Sequence, residues 1–134
     1  MFREHWEEIA LNRDEVPLCC DEGRYRDMDE KGFMLILAVR DEGRLVGYYM
    51  AFITPHLHYA DSGLMSFTDV YYLKPEYRRG QIGAVLFTEA EKALRERGVT
   101  KAYLSCKVHK DMTRLFEALG WEMTDYCFAK MLRN

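Results

Sequence analysis

The sequence predicts one α/β (α+β) domain, built on a mixed and mostly antiparallel sheet with helices on both faces. The chain has 134 residues, which is enough for one hydrophobic core and too few for two. Apolar runs of strand length alternate with segments of helical periodicity. One helical segment lies between two predicted strands, and such a crossover makes those strands parallel. We therefore interpret residues 1–134 as a single domain.

Composition and charge exclude several classes of function. The net charge is −3, so nothing global favours a nucleic-acid partner. The longest apolar run, residues 33–39, is too short to span a bilayer, and the acidic N-terminus lacks the apolar stretch of a signal peptide. We expect a cytoplasmic protein without a membrane partner. No CxxC spacing exists, so neither a metal site nor a disulfide framework is expected; the cysteines are Cys19, Cys20, Cys106 and Cys127.

The N-terminal part predicts helices. Residues 2–12 have helical periodicity. Their apolar members fall on one face: Phe2, Trp6, Ile9 and Ala10. Residues 21–32 are strongly charged and predict a second short helix or a loop, with Tyr25 and Met28 turned inward.

A hairpin follows. Residues 33–39 are continuously apolar yet too short for a helix, which predicts a strand buried on both faces. The segment RDEGR predicts a turn in which Gly43 adopts positive φ. The second arm, residues 44–54, ends before Pro55, because proline cannot donate a hydrogen bond to a central ladder.

Residues 65–73, MSFTDVYYL, predict the third strand through their aromatic and β-branched side chains. Strict alternation divides these side chains between the two faces. It places Phe67, Asp69, Tyr71 and Leu73 on one face and Thr68, Val70 and Tyr72 on the other.

The C-terminal part predicts two helices and two strands. Apolar residues from Ile82 to Leu94 recur at helical spacing, and Gly98 follows as a C-terminal cap. Residues 101–108 alternate as a fourth strand. Asp111 is suited to cap a short helix, whose apolar stripe is Met112, Leu115, Phe116 and Leu119. Residues 121–132 predict a final strand.

The turn before the long helix carries two arginines, Arg78 and Arg79, and two glycines, Gly80 and Gly83. The first N–H groups of a helix have no intrahelical acceptor and carry partial positive charge. Glycines let a phosphate approach them, and arginines add permanent charge. The segment therefore fits a phosphate site, although a solvated loop explains it equally well. Neither GxxxxGK[ST] nor GxGxxG is present.

The same segment, VYYLKPEYRRGQIGAVLF, resembles the central R/Q-x-x-G-x-G/A motif of the GNAT superfamily of acetyl-CoA-dependent N-acetyltransferases. LFEALGWEM is similar to the family's LYEKLGF segment, and LILAVRDEGRLVGYYMAF resembles its second and third strands. The resemblance covers residues 33–132. HWEEIALN and PHLHY also resemble a phage and prophage subset of this superfamily.

The resemblance implies that residues 68–73 and 101–107 form a central, splayed parallel pair. The pantetheine arm of acetyl-CoA would lie in the opening and pair with Tyr71, Tyr72 and Leu73. The pyrophosphate would bind at the turn, on Arg78, Arg79, Gly80, Gln81, Gly83 and Ala84. Gln81 replaces the motif's middle glycine. His109 takes a position that lines the cofactor channel or simply precedes the next helix.

The resemblance implies direct attack of an amine on the thioester, without a covalent enzyme intermediate. Asp69 is the first candidate for the base, and His56 and His58 are the second. Each also has a plain structural reading, as a hydrogen-bonded carboxylate or as solvated loop histidines. A backbone amide near Tyr71 or Tyr72 would stabilise the oxyanion.

The leaving-group acid raises a separate question. Many members place a tyrosine where this chain has Phe116, so Tyr126, Tyr103 or a water would have to replace it. Packing alone explains either tyrosine.

Two functions follow from the resemblance. The first is N-acetyl transfer from acetyl-CoA to a primary amine, on a small molecule, a peptide or a protein. The alternative is an acyl-CoA-binding module that acts through a protein partner, which Phe116 and Gln81 favour. The family's first strand is missing or short here, so an exposed sheet edge makes a homodimer plausible.

Overall fold

A computed structural model describes residues 1–133 of the chain. The strands are β1 (Met34–Asp41), β2 (Arg44–Pro55), β3 (Leu64–Leu73) and β4 (Val99–Tyr103). The helices are α1 (Phe2–Ile9), α2 (Glu22–Glu30), α3 (Ile82–Glu96) and α4 (Thr113–Ala118). Two short 3₁₀ segments, Leu57–Ser62 and Pro75–Tyr77, lie on either side of β3. No helix among these residues has the length and apolar character needed to cross a membrane.

The four strands form one sheet in the order β1-β2-β3-β4. The first three pair antiparallel, and β3 and β4 pair in parallel across the α3 crossover. This confirms the predicted mixed α/β fold. The expectation that β1 is buried on both faces was wrong beyond Met34 and Leu35, because β1 is an edge strand and its second half is partly exposed.

Helices cover both faces of the sheet, as predicted. On one face, the rings of Tyr49 and Tyr71 form T-shaped pairs with Phe87 of α3, at centroid distances of 6.1 and 5.2 Å. On the other face, Tyr72 stacks on His5 of α1 with centroids 4.9 Å apart. The α3 face contains the main core, which also includes Phe116 of α4. Neighbouring residues of β3 therefore contact opposite layers of helices.

A β-bulge interrupts β3. Met50 pairs with Val70 and Ala51 pairs with Thr68, so Asp69 is an extra residue without a partner on β2. The predicted alternation, which placed Asp69 and Tyr71 on one face, was therefore wrong. Asp69 accepts a hydrogen bond from Tyr25 of α2, on the side opposite α3.

The parallel pair separates at the bulge. Pairing between β3 and β4 runs from Leu64 to Phe67, and β4 ends at Tyr103 rather than extending through residue 108 as predicted. Bulges bend the strand that carries them, which accounts for the separation. Residues 68–73 and 104–108 then diverge, and no backbone hydrogen bond joins them within the described part of the chain. We refer to this space as the strand gap.

The predicted final strand over residues 121–132 is absent from the described structure. Trp121 is anchored, since its amide donates to Phe116 O and its indole Nε1 donates to Glu91. The residues after it are exposed, with Tyr126 83% and Phe128 92% accessible. Alternating apolar and polar residues indicate that a segment can form a β-strand. They do not indicate whether a neighbouring strand is available to hydrogen-bond with it.

Candidate functional site

The N-terminus of α3 is open. No side chain caps its first turn at Gln81, whereas Asp21 caps α2 by accepting a hydrogen bond from the Arg24 amide at 3.0 Å. A helix without such a cap leaves its first N–H groups for solvent or a ligand. These groups also carry the positive end of the helix dipole, so the arrangement favours an anion.

The two glycines of this turn leave room for such an anion. Gly80 has a φ of +88°, a conformation that side chains rarely adopt, and it turns the chain into the helix. A Cβ atom placed on Gly80 or Gly83 would meet nothing within 4 Å. The predicted pyrophosphate site is therefore accessible at its backbone, and the exposed Gln81 does not close it.

The two arginines of the turn have different surroundings. Arg78 donates from Nε to Leu73 O at 2.7 Å and from Nη2 to Glu8 of α1 at 2.8 Å, and its guanidinium lies over the Tyr72 ring. Arg79 is exposed and makes no hydrogen bond or ion pair with any residue from 1 to 133. Arg78 therefore ties the turn to β3 and α1, and Arg79 is the cation available to an anionic ligand.

Glu8 joins the two sides of the strand gap. Its carboxylate pairs with Arg78, which follows β3, and lies 4.0 Å from Nζ of Lys110, which follows β4. Both pairs are partly exposed, so their contribution to stability is small. These two ion pairs instead determine the position of α1, because they hold the helix across one end of the strand gap.

Two side chains of β3 reach across the gap. Thr68 Oγ1 donates to Tyr103 O at 2.9 Å, and the Tyr71 hydroxyl donates to Ser105 O at 2.8 Å. Burial raises the pKa of Tyr71, so its hydroxyl stays protonated at neutral pH. The Tyr71 ring contacts Phe116, with centroids 6.1 Å apart. The ring of a tyrosine thus packs against Phe116, the position at which the family resemblance implies a tyrosine.

A cavity of about 630 Å³ lies between the sheet and the layer of α1 and α2. Most of its wall is apolar, including Phe2, Trp6, Ile9, Leu18, Phe52 and Val70. Val70 belongs to β3 directly after the bulge, and Lys107 follows β4 on the other side of the gap. The cavity therefore extends to the place where the two strands have separated.

Asp69 lies next to this cavity. Its Oδ2 accepts a hydrogen bond of 2.7 Å from the Tyr25 hydroxyl, and Tyr25 itself lines the cavity. Burial, followed by the bond to Asp69, raises the pKa of Tyr25 and keeps it a donor. Within residues 1–133 no cationic side chain forms an ion pair with Asp69.

His5 is a site residue that sequence reasoning missed. It is only 7% exposed, it lines the cavity, and its Nδ1 lies 2.7 Å from the Tyr48 hydroxyl. Burial lowers the pKa of His5, more than the nearby Glu8 raises it, so the imidazole is neutral at pH 7. Its spacing from Phe2 and Ile9 fits the apolar stripe of α1, and this signal was available in the sequence.

The remaining predicted residues lie elsewhere. His56 and His58 lie in the loop that enters β3, with their rings tilted and the centroids 5.4 Å apart. The strand gap begins near Val70, six residues beyond the start of β3. At the rise of a β-strand, roughly 20 Å of β3 therefore separates the gap from the loop that carries the two histidines. Tyr126 is 83% exposed, and His109 is exposed in the turn after the gap. The fold thus places Asp69 at the strand gap but keeps the two histidines away from it.

No metal-binding group of three or more His, Cys, Asp or Glu side chains occurs among the described residues.

Solved structures with similar folds cover most of the chain. A transcriptional regulator from Bacillus halodurans C-125 matches 98% of this chain and 91% of its own, at 19% identity and a TM-score of 0.78. AAC(6')-Iy, in complex with the bisubstrate analogue CoA-S-monomethyl-acetylneamine, has the same coverage at 18% identity and a TM-score of 0.67. Glucosamine-6-phosphate N-acetyltransferase from Arabidopsis thaliana matches 88% of this chain and 82% of its own, at 16% identity and a TM-score of 0.72.

At these identities the likeness shows a common fold. No curated protein sequence matches the chain significantly. The acetyltransferase (GNAT) family matches residues 2–121, which contain every helix and strand described above. The chain therefore belongs to the acetyltransferase (GNAT) family.

Proposed function

We propose that this protein is an N-acetyltransferase that moves the acetyl group of acetyl-CoA directly to a primary amine. One observation carries the proposal: the strand gap runs from the uncapped N-terminus of α3 to a cavity on the opposite face of the sheet. Two substrates can therefore approach one point from two sides. Family membership and the CoA analogue bound to AAC(6')-Iy support acetyl-CoA as one of them.

The coenzyme site follows from the open turn. The amides of Gly83 and Ala84 would hold the pyrophosphate, and Gly80 and Gln81 would shape its approach. Arg79 would add charge, and Arg78 would act as a positioning residue because Glu8 and Leu73 O already engage it. The unpaired edge of β3 from Tyr71 to Leu73 would lie along the pantetheine arm. When bound, acetyl-CoA supplies an activated thioester.

The reaction requires one proton to leave the amine and one to reach the sulfur. A C–N bond forms and the C–S bond breaks, so the acetyl group moves and the free thiol is released. We assign the first proton transfer to Asp69, which lies beside Val70 at the gap and is oriented by Tyr25. The neutral imidazole of His5 is a second acceptor in the same cavity. The packing gives no support to such a role for His56 and His58.

We assign the proton that reaches the departing sulfur to Tyr71, whose single O–H would turn from Ser105 O toward the sulfur. Its hydroxyl is protonated and reaches across the gap to Ser105, beside the ring of Phe116. Tyr126 is a poorer candidate because most of its surface faces solvent. A backbone amide of β3 near Tyr71 or Tyr72 would stabilise the oxyanion, since this edge has no ladder partner.

Several finer expectations stay predictions. The cytoplasmic location, a homodimer and the phage or prophage origin rest on the sequence alone. A primary amine as acceptor is consistent with the structural neighbours, which include an aminoglycoside acetyltransferase and a glucosamine-6-phosphate N-acetyltransferase.

Thermal denaturation combined with thiol release tests the proposal. We expect acetyl-CoA to raise the melting temperature and free thiol to appear when an amine panel is added. Protection without turnover on any amine would favour the alternative, an acyl-CoA-binding module, for which the missing hydroxyl at Phe116 is the supporting observation. No protection by any acyl-CoA would remove both functions.

A further inference from the structure

We propose that the cavity under α1 and α2 binds a primary amine carried on a bulky apolar body, such as an arylalkylamine. This inference rests on the proposed function, because it names the acceptor for that reaction. It also departs from the solved neighbours, which include an aminoglycoside acetyltransferase and a glucosamine-6-phosphate N-acetyltransferase.

The cavity wall selects against hydrophilic acceptors. Aromatic and aliphatic side chains form most of it, from α1, α2, the intervening loop and the sheet. Its volume of about 630 Å³ lies within the usual range for small-molecule sites. A sugar would place hydroxyls against this wall without hydrogen-bond partners, which is costly. An aromatic or branched aliphatic body would instead bury apolar surface.

The charges around the cavity favour a single ammonium group. Asp69 lies beside Val70 at the gap, and its bonding partner is a neutral hydroxyl, that of Tyr25. Asp21 and Arg24 also line the cavity, but they pair with each other at 3.5 Å. Lys107 lines the far side of the gap and would repel a second positive charge. The carboxylate of Asp69 is thus the group that an incoming ammonium can neutralise.

Trp6 provides a readout that does not depend on turnover, because its ring lines the cavity. We expect 2-phenylethylamine to change the fluorescence of Trp6, with weaker binding by the uncharged 2-phenylethanol and none by glucosamine at the same concentration. The Trp6→Phe variant should lose the signal, which excludes a contribution from Trp121. Equal binding of glucosamine and 2-phenylethylamine would overturn the proposal.

Two substitutions and one control variant locate the site. Leu18→Lys places a positive charge on the apolar wall, from a loop outside any helix or strand, and should weaken 2-phenylethylamine binding at least tenfold. Leu57→Lys is the matched control, because Leu57 is 93% exposed at the other end of β3 and should not change binding. Asp69→Asn should weaken the amine about tenfold and leave 2-phenylethanol unchanged. Equal effects of the two leucine variants would overturn the placement.

Turnover separates this inference from the function on which it rests. Thiol release with glucosamine but not with 2-phenylethylamine would leave the acetyltransferase intact and refute the apolar acceptor. Fluorescence binding of 2-phenylethylamine without thiol release on any amine would refute the acetyltransferase and leave the amine site standing.

Discussion

Replacing Gly83 with leucine should separate folding from coenzyme binding. Gly83 is the second residue of α3, and a Cβ atom there meets nothing within 4 Å. The Cβ atom therefore introduces no clash in the free protein, and we expect the better helix former to stabilise it by up to about 0.8 kcal/mol. For a chain of this size, we expect the melting temperature to rise by roughly 3 °C.

Coenzyme binding should move in the opposite direction. The new side chain would occupy the space through which a phosphate reaches the first amides of α3. Losing one hydrogen bond to a charged group costs about 2 kcal/mol, which corresponds to a Kd about 30-fold higher. At a ligand concentration of about 100 times the original Kd, stabilisation by acetyl-CoA falls from about 2.7 to about 0.9 kcal/mol.

Gly23→Leu is the matched control for this experiment. Gly23 is likewise the second residue of its helix, α2, but Asp21 already caps that terminus. We expect a similar change in melting temperature without ligand and an unchanged Kd for acetyl-CoA, measured by isothermal calorimetry. Full coenzyme affinity in Gly83→Leu, or an equal loss in both variants, would refute the assignment of the anion site to α3.

Three further predictions concern other parts of the site. Arg79→Ala should raise the Kd for acetyl-CoA severalfold at low salt and less at high salt, whereas Arg78→Ala should chiefly lower the melting temperature; equal effects on Kd would contradict the division between them. His5 has a lowered pKa in the folded state, so its contribution to stability is complete above about 6.5 and is lost as the pH falls below that value. Urea titrations should show this loss, and its persistence in His5→Gln would assign it to another group. Tyr71→Phe should lower kcat at least tenfold and leave the Kd for acetyl-CoA unchanged, and an unaltered kcat would rule out the role assigned to its hydroxyl.

Local signals predicted most of the fold. The hairpin turn at Gly43, the periodicity of α3 and the order of strands and helices each follow from a few neighbouring residues. The open turn at Gly80 and Gly83 follows in the same way, because turn chemistry depends on local backbone freedom. Whether coenzyme binds there stays a prediction.

The errors arose where distant parts of the chain decide the outcome. The bulge at Asp69 depends on how β3 pairs with β2, and alternation within β3 carries no trace of it. The end of β4 at Tyr103 depends on that same bulge. His5 was missed because a polar residue within an apolar stripe looks incidental until its partner, Tyr48, is known.

The extra residue at Asp69 constrains how this protein can be recombined with its relatives. Removing Asp69 would let Thr68 and Val70 pair with the successive residues Ala51 and Met50, so the later side chains would keep their sides but the bend that separates β3 from β4 would be lost. Chimaeras should accordingly take residues 64–73 as an indivisible block, with exchange points in the flanking loops. A graft from a donor strand without the extra residue would lose the bend that opens the strand gap, even if every side chain beside the gap were kept.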